Sequence, residues 1–348
     1  MSETTAQGWR EQQRIQDEAR RAEVMDLPVI EARPHGVIAG PDDDVRVCAS
    51  IGPAGELVAV WVAPDDLDAA SAKTLSPGGA SFPDPGAARP VPARITVHAP
   101  RLAAVVQIPA LTLAHITVQP MPGNRFLIAG ARCRWHPDGP DRNAVLYDAR
   151  GQVLSEHVLG DGLAQVQASS TGEIWAGYFD EGIYGNYGWS EHDTQLPIGR
   201  YGIMQFSPDL EPAWHPDYDA IRPWGVIDEC SALNVSDTGT WLSYDADYPV
   251  VRIQDGTVTG WHNDVKGIRA LAVVGSRVTL FGGGRADRDR LAIAELTGDR
   301  ARLDCEYRIV LADGQSLEPG IEVIGRGPHL HFLTDIGWYQ LDISDLTG

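Results

Sequence analysis

Apolar side chains along this chain fall in short alternating runs, and the runs come in pairs joined by a glycine turn. The unit recurs as "VRVCASIGPAGELVAVWVA", "HITVQPMPGNRFLIAGA", "AQVQASSTGEIWAGYFD", "SALNVSDTGTWLSYDAD", "RALAVVGSRVTLFGG" and "IEVIGRGPHLHFLTD". Its turn glycines are Gly55, Gly123, Gly172, Gly239, Gly275 and Gly327. Three and five residues beyond each glycine stand Val58/Val60, Phe126/Ile128, Trp175/Gly177, Leu242/Tyr244, Val278/Leu280 and Leu330/Phe332. A period of two is the mark of a strand that buries one face, and only Gly177 breaks it. Each unit therefore predicts a β-hairpin.

Further alternating runs follow most hairpins, as in "NAVLYDARGQVLSEHVL", "GIMQFSPDLEPAWHP" and "PVVRIQDGTVTGWH", with Gly or Asp at the tight turn positions. Four antiparallel strands repeated six times make an all-β chain, a six-bladed β-propeller. A seven-bladed ring is the alternative if the Pro-, Gly- and Ala-rich insertion 64–93 holds a small blade; otherwise that insertion reads as a mobile loop. The last unit, 321–343, offers only three strands, and "LPVIEA" (27–32) is expected to supply the fourth and close the ring. The chain thus divides into a polar helical or disordered segment, 1–26, and a single propeller, 27–348.

The stretch "AQVQASSTGEIWAGYFDEG" resembles the repeat of two-component-regulator-type and streptogramin-lyase-like propellers, with an inner strand, a turn ending in glycine and a Trp-bearing second strand. The resemblance covers all six repeats loosely and implies the fold. It implies no catalytic residue, because such propellers include sensors, lyases, hydrolases and scaffolds.

Charge narrows the partners. A formal net charge of −20 argues against nucleic acid, whose affinity for proteins rests on Lys and Arg displacing counterions. The N-terminal stretch lacks an apolar core of the kind a secretory signal requires, and "LAAVVQIPALTLAHITV" (102–118) is interrupted by Gln107, Pro109, Thr112 and His115, so no membrane segment is expected. Cys48, Cys133, Cys230 and Cys305 are widely spaced, which fits a reducing cytoplasm.

In a propeller the loops after the second strand and before the first share one rim, where ligands meet the central channel. The position eight residues past each turn glycine falls there, and three of the six are acids: Asp180, Asp247 and Asp335. Glu181, Asp228, Glu229 and Asp245 lie beside them in sequence, with Arg132, Arg134 and Arg285 in other loops of the rim as neutralising cations. The insertion "DEGIYGNYGWSEHD" adds Tyr184, Tyr187 and Trp189 in a glycine-rich loop suited to stacking on a ligand, whereas Trp175, Trp214, Trp241 and Trp338 belong to strands and packing. Two readings follow. One is a cytoplasmic binding or scaffolding protein with an acidic, aromatic rim for a cationic or polyhydroxylated small molecule or a protein partner, with Ca²⁺ on Asp180, Asp247 and Asp335 as a candidate cofactor site. The other is a lyase or hydrolase using rim carboxylates (Asp180, Glu181) with a metal, or His136 as base; His192 is a second rim histidine, and neither histidine has an identifiable partner. Cys133 and Cys230 also map to the rim, with small buried packing the expected role. His329 and His331 share one face of one strand and read as structural histidines.

Overall fold

The computed structural model describes residues 3–192, 195–283 and 285–346, apart from the side chains of residues 3–7, 9, 10, 285 and 313. A 23-residue helix, α1 (Glu3–Met25), leads into β1 (Val29–Val37). Arg14 pairs with Glu11 at 2.7 Å and with Glu18, and Arg20 with Glu23 at 2.9 Å, the one-turn spacing that supports a polar helix. The 1–26 segment is thus helical over nearly its whole length.

Beyond β1 the hairpins appear where the alternation places them. The first sheet is β2 (Val45–Ile51), β3 (Leu57–Val62), β4 (Gly86–His98) and β5 (Leu102–Leu113), paired in that order. The second is β6 (Ile116–Met121), β7 (Arg125–Gly130), β8 (Ala144–Tyr147) and β9 (Val153–His157). The third is β10 (Leu163–Ala168), β11 (Ile174–Tyr178), β12 (Ile203–Phe206) and β13 (Pro212–Trp214). A fourth follows as β14 (Cys230–Ser236), β15 (Gly239–Tyr244), β16 (Val250–Gln254) and β17 (Thr257–Asn263). A fifth consists of β18 (Ile268–Val274), β19 (Arg277–Gly282), β20 (Arg290–Thr297) and β21 (Arg300–Leu311). The last hairpin unit is β22 (Glu322–Arg326), β23 (His329–Leu333) and β24 (Gly337–Asp342). All six turn glycines hold positive φ, from +53° at Gly327 to +131° at Gly239, a region that a side chain would strain.

The N-terminal strand serves two neighbours. Val29–Ala32 run parallel to β21, while Arg33–Val37 pair antiparallel with β24. The strand that covers the outer edge of β24, whose other edge pairs with β23, is therefore the segment after "LPVIEA", beyond a stretch that instead continues the fifth sheet. The insertion 64–93 is not a bare loop: it carries a 3₁₀ turn at Pro64–Asp66, a short helix at Leu67–Ala70 and a two-stranded ribbon, Lys73–Leu75 with Ser81–Pro83, and its end already belongs to β4.

Second strands are buried on both faces; every residue of β3 is buried. The reason is that apolar layers lie between successive sheets. One cluster joins Val58 and Val60 to Phe126 and Tyr147, the next joins Leu146 to Trp175 and Leu242, and others join Trp241 to Leu280 and Phe281 to Phe332. A fifth joins Leu333 and Trp338 of the last unit to Ile51, Leu57 and Trp61 of the first sheet. First strands meet at the centre, β2 beside β6, β6 beside β10, β10 beside β14, β14 beside β18, β18 beside β22 and β22 beside β2.

Candidate functional site

Polar residues of the first strands are bonded across this centre. Gln119 of β6 reaches Ser50 of β2 and accepts from the Ala168 amide at 2.9 Å. Gln167 donates to the Leu233 and Gly325 carbonyls at 3.0 and 3.2 Å and accepts from the Val235 amide at 2.8 Å. Asn234 closes on Leu271 and Gly327, each at 2.9 Å. Arg326 is the hub: its guanidinium donates to Gly52 O at 3.2 Å, Val235 O at 2.8 Å, Gln167 Oε1 at 3.1 Å and Ala168 O. With only 4% of its surface exposed, Arg326 spans the middle and divides the channel.

On the rim side lies a cavity of about 300 Å³ lined by Cys48, Ser50, Thr117, Gln165, Gln167 and Glu322, among others. Glu322 is reached by solvent along the channel yet enclosed by protein around it, and that enclosure pushes its carboxyl up to about 7 against the opposing pull of Arg46. The same enclosure, with Glu322 as neighbour, raises the Cys48 thiol far above its ordinary value. Neither residue stood out in the sequence. The available signal was register, since residues at the start of a first strand must face the channel mouth.

The expected rim residues gather elsewhere, over the third sheet, and they divide into two groups. Arg132 is buried between Asp161, at 2.9 Å, and Glu181, and its guanidinium lies over Phe179 at 5.2 Å and Tyr187 at 4.3 Å. Arg134 covers the same Tyr187 ring at 5.0 Å, and the Tyr187 hydroxyl donates to Pro83 O at 2.8 Å. Trp189 is buried; its indole donates to Cys133 O at 2.7 Å and meets Trp135 edge-on at 4.9 Å. Tyr187 and Trp189 are thus not open stacking platforms. They fasten the 180–201 insertion onto the neighbouring sheet, where Gly162 and Gly182 approach so closely that a Cβ on Gly162 would lie 2.5 Å from Gly182.

The second group is acidic and open. The Tyr184 hydroxyl donates to Asp228, and the Glu229 carboxyl is raised by burial and by Asp245 and Asp180 nearby. Asp180, Asp228, Glu229 and Asp245 therefore do share one patch. Asp247 lies apart, exposed beside Lys266 at 3.7 Å, and Asp335 is exposed, its carbonyl accepting from Arg46 at 3.3 Å. Among the described residues no group of three His, Cys, Asp or Glu is arranged to hold a metal ion, so the donor set expected for Ca²⁺ is not assembled. The Arg285 side chain lies outside the described residues.

One further expectation changes. His136 has a partner after all: Asp141, 2.8 Å away across the Trp135–His136/Gly139–Pro140 ribbon, with the other carboxylate oxygen accepting from the Arg134 amide at 2.9 Å. Cys133 and Cys230 are fully buried, and burial raises both thiols, to about 12 for Cys230. Cys230 packs against Gly177, where a Cβ would lie 2.4 Å from its sulfur, which explains the glycine that interrupts the alternation. His192 is exposed, with its carbonyl closing a turn to Gln195.

No protein-family model and no curated protein sequence matches the chain. Solved structures do, at low identity. A catalytically inactive virginiamycin B lyase from Staphylococcus aureus, crystallised with quinupristin, is 10% identical and aligns over 89% of this chain and 100% of its own, with a TM-score of 0.43. YCF48 bound to D1 peptide is 11% identical over 90% and 98%, TM-score 0.43, and the Cps50 (Swd1) β-propeller domain of Myceliophteria thermophila is 10% identical over 88% and 100%, TM-score 0.42. The fold is a β-propeller. That statement stands on the chain's own strand pairing and on the apolar layers between its sheets; nothing about chemistry or partners comes from these likenesses.

Proposed function

We propose that the chain is a six-bladed propeller in which β1 completes the last blade, and that it works as a binding protein, in the cytoplasm, for a small amine-bearing or polyhydroxylated molecule at the channel mouth. The ring is supported by the apolar layer joining the last hairpin unit to the first sheet and by the antiparallel pairing of Arg33–Val37 with β24. The insertion 64–93 adds a ribbon and helices rather than a seventh four-stranded sheet. Four free thiols suit a reducing compartment.

The observation that carries the binding reading is the floored recess at the channel mouth. Gln167, held from below by Arg326, makes a floor that is already bonded to protein, leaving a recess of about 300 Å³ with Glu322 in its wall. A carboxyl held near neutrality can lose its proton to meet an amine or keep it to bond a hydroxyl. The open acids Asp180, Asp228, Glu229 and Asp245 would draw a cation or a basic partner toward the same rim.

The His136–Asp141 pair favours a second reading, a hydrolase or lyase, since a carboxylate fixes one imidazole nitrogen and leaves the other for proton transfer. Glu181 fits that role poorly because Arg132 already holds it. One panel separates the two. Thermal unfolding at pH 7 with amines and polyols should give a ligand that raises the Tm of the wild type and raises that of E322Q much less. Equal shifts in both proteins, or none, would remove the cavity reading, while consumption of a compound by wild type but not H136N would establish the enzyme.

A further inference from the structure

The opposite end of the channel holds a second cavity, of about 370 Å³, walled by the turns around Gly55, Ser170, Asp237 and Gly327 and by His35, His329, His331 and Arg326. His331 is its decisive group. The side chain has no exposed surface, and Trp338 Nε1 lies 3.0 Å from its Nδ1. An indole N–H can only donate, so Nδ1 is the bare nitrogen and Nε2 carries the hydrogen. That Nε2–H is buried and has no hydrogen-bond partner. A buried donor without an acceptor forfeits the bond it would make to water, so the fold retains a group whose bond is completed by something else.

The second group is Arg326. Its four bonds run to backbone carbonyls and one amide oxygen, all uncharged, so the positive charge is buried without direct pairing to a carboxylate in those contacts. Such a charge is stabilised by an anion more than by any neutral acceptor. His35 and His329 stand on the same side, their rings flanking His331 at centroid distances of 6.4 and 5.9 Å. A metal is the poorer occupant: no three ligating side chains are arranged for one among the described residues, and Nδ1 of His331 is already engaged. Three carboxylates oppose an anion: Glu56, which accepts from the Ala54 amide at 2.9 Å and acts on the Arg326 charge, Asp342, 3.4 Å from His329 Nε2, and Asp237, which is exposed and accepts from the Ser170 hydroxyl at 2.8 Å.

We propose that this cavity is a second ligand site, independent of the channel mouth, which takes a small oxyanion, a phosphate or carboxylate group, on the His331 Nε2–H beside the Arg326 guanidinium. Asp237 limits its affinity, and the Trp338 indole positions the donor by fixing the histidine tautomer.

The test is calorimetric titration of the full chain at pH 7 with inorganic phosphate and, separately, with malonate. Saturable one-site binding of at least one anion is expected, weakened about tenfold or more in H331F and strengthened about threefold in D237N. The exposed position of Asp237 makes D237N a variant that folds, so it decides the matter if H331F does not. Phosphate alone, or malonate alone, identifies which oxyanion the site takes. Absence of saturable binding by either anion up to about 10 mM, or affinities unmoved in D237N, overturns the proposal.

Discussion

Glu322 and Arg326 stand at the two ends of one five-residue strand, and the channel treats their charges differently. Arg326 cannot give up its proton near neutrality; although burial lowers it to about 10, it stays a cation and satisfies itself on carbonyl oxygens. Glu322 can, and burial favours its neutral form up to about pH 7. A carboxyl whose folded value lies above its unfolded value binds more protons when folded, so it favours the folded state at low pH and that advantage disappears as pH rises through the folded value. The window therefore runs from about 4.5 to about 7. In E322Q the neutral amide is indifferent to pH. The variant should match the wild type near pH 4.5 and melt higher by about 2–4 °C at pH 8, a modest shift because the group is partly solvated. Parallel melting curves of the two proteins across that range check it, and a constant offset would mean that Glu322 ionises normally in the channel.

At the scale of elements, the described side chains of α1 meet the body through its last turns. Residues 11–19 are exposed, whereas Val24 is fully buried and Arg20 and Arg21 reach the segment before β20. Arg21 forms a two-pronged pair with Asp289, whose carboxylate has no exposed surface; Arg20 meets Asp287 at 2.8 Å and Glu306 at 3.7 Å. These two arginines should differ in worth. R21M strands a buried carboxylate and should cost roughly 2–3 kcal/mol, while R20M leaves Asp287 and Glu306 with Arg290, each at 3.4 Å, and should cost under about 1 kcal/mol. Urea unfolding of the two variants measures the difference, and equal losses would place the latch in Val24 rather than in the ion pair. The hairpins themselves were legible in the sequence because each needs only alternation and a glycine able to take positive φ, both local properties. The grouping of Gln119, Gln167, Asn234 and Arg326 was not, since each reads as an ordinary polar residue in a strand until six strands converge. Tyr187 and Trp189 misled for the converse reason: a glycine-rich loop looks open in sequence, and only the position of Arg132, Arg134 and Cys133 shows that it folds back. The partner of His136 was closer to hand, because the "PDGP" turn between them sets up the ribbon that brings Asp141 across.

At the scale of the whole molecule, the proposed closure makes the N-terminus more than an appendage. Sheets stacked by apolar layers are each supported on two sides, and a gap anywhere leaves two faces bare. Here the last join depends on residues far apart in the chain: β1 covers β24, Ile38 and Trp338 pack with Ile51, Leu57 and Trp61, and the Ile38 amide donates to Ile336 O at 2.9 Å. Two deletions distinguish a latch from a closure. Removing residues 1–25 takes away the Arg21–Asp289 pair but keeps β1, so the protein should still unfold in one cooperative transition, at a lower temperature. Removing residues 1–38 uncovers the edge of β24 and strips Ile38 from the layer beneath Trp338. That protein should lose its cooperative transition or melt at least about 10 °C below the shorter deletion, and should associate through the bared edge. Circular dichroism melts with size-exclusion chromatography read both effects. If the longer deletion melted like the shorter one and stayed monomeric, β1 would be decoration on a ring already closed by its other strands.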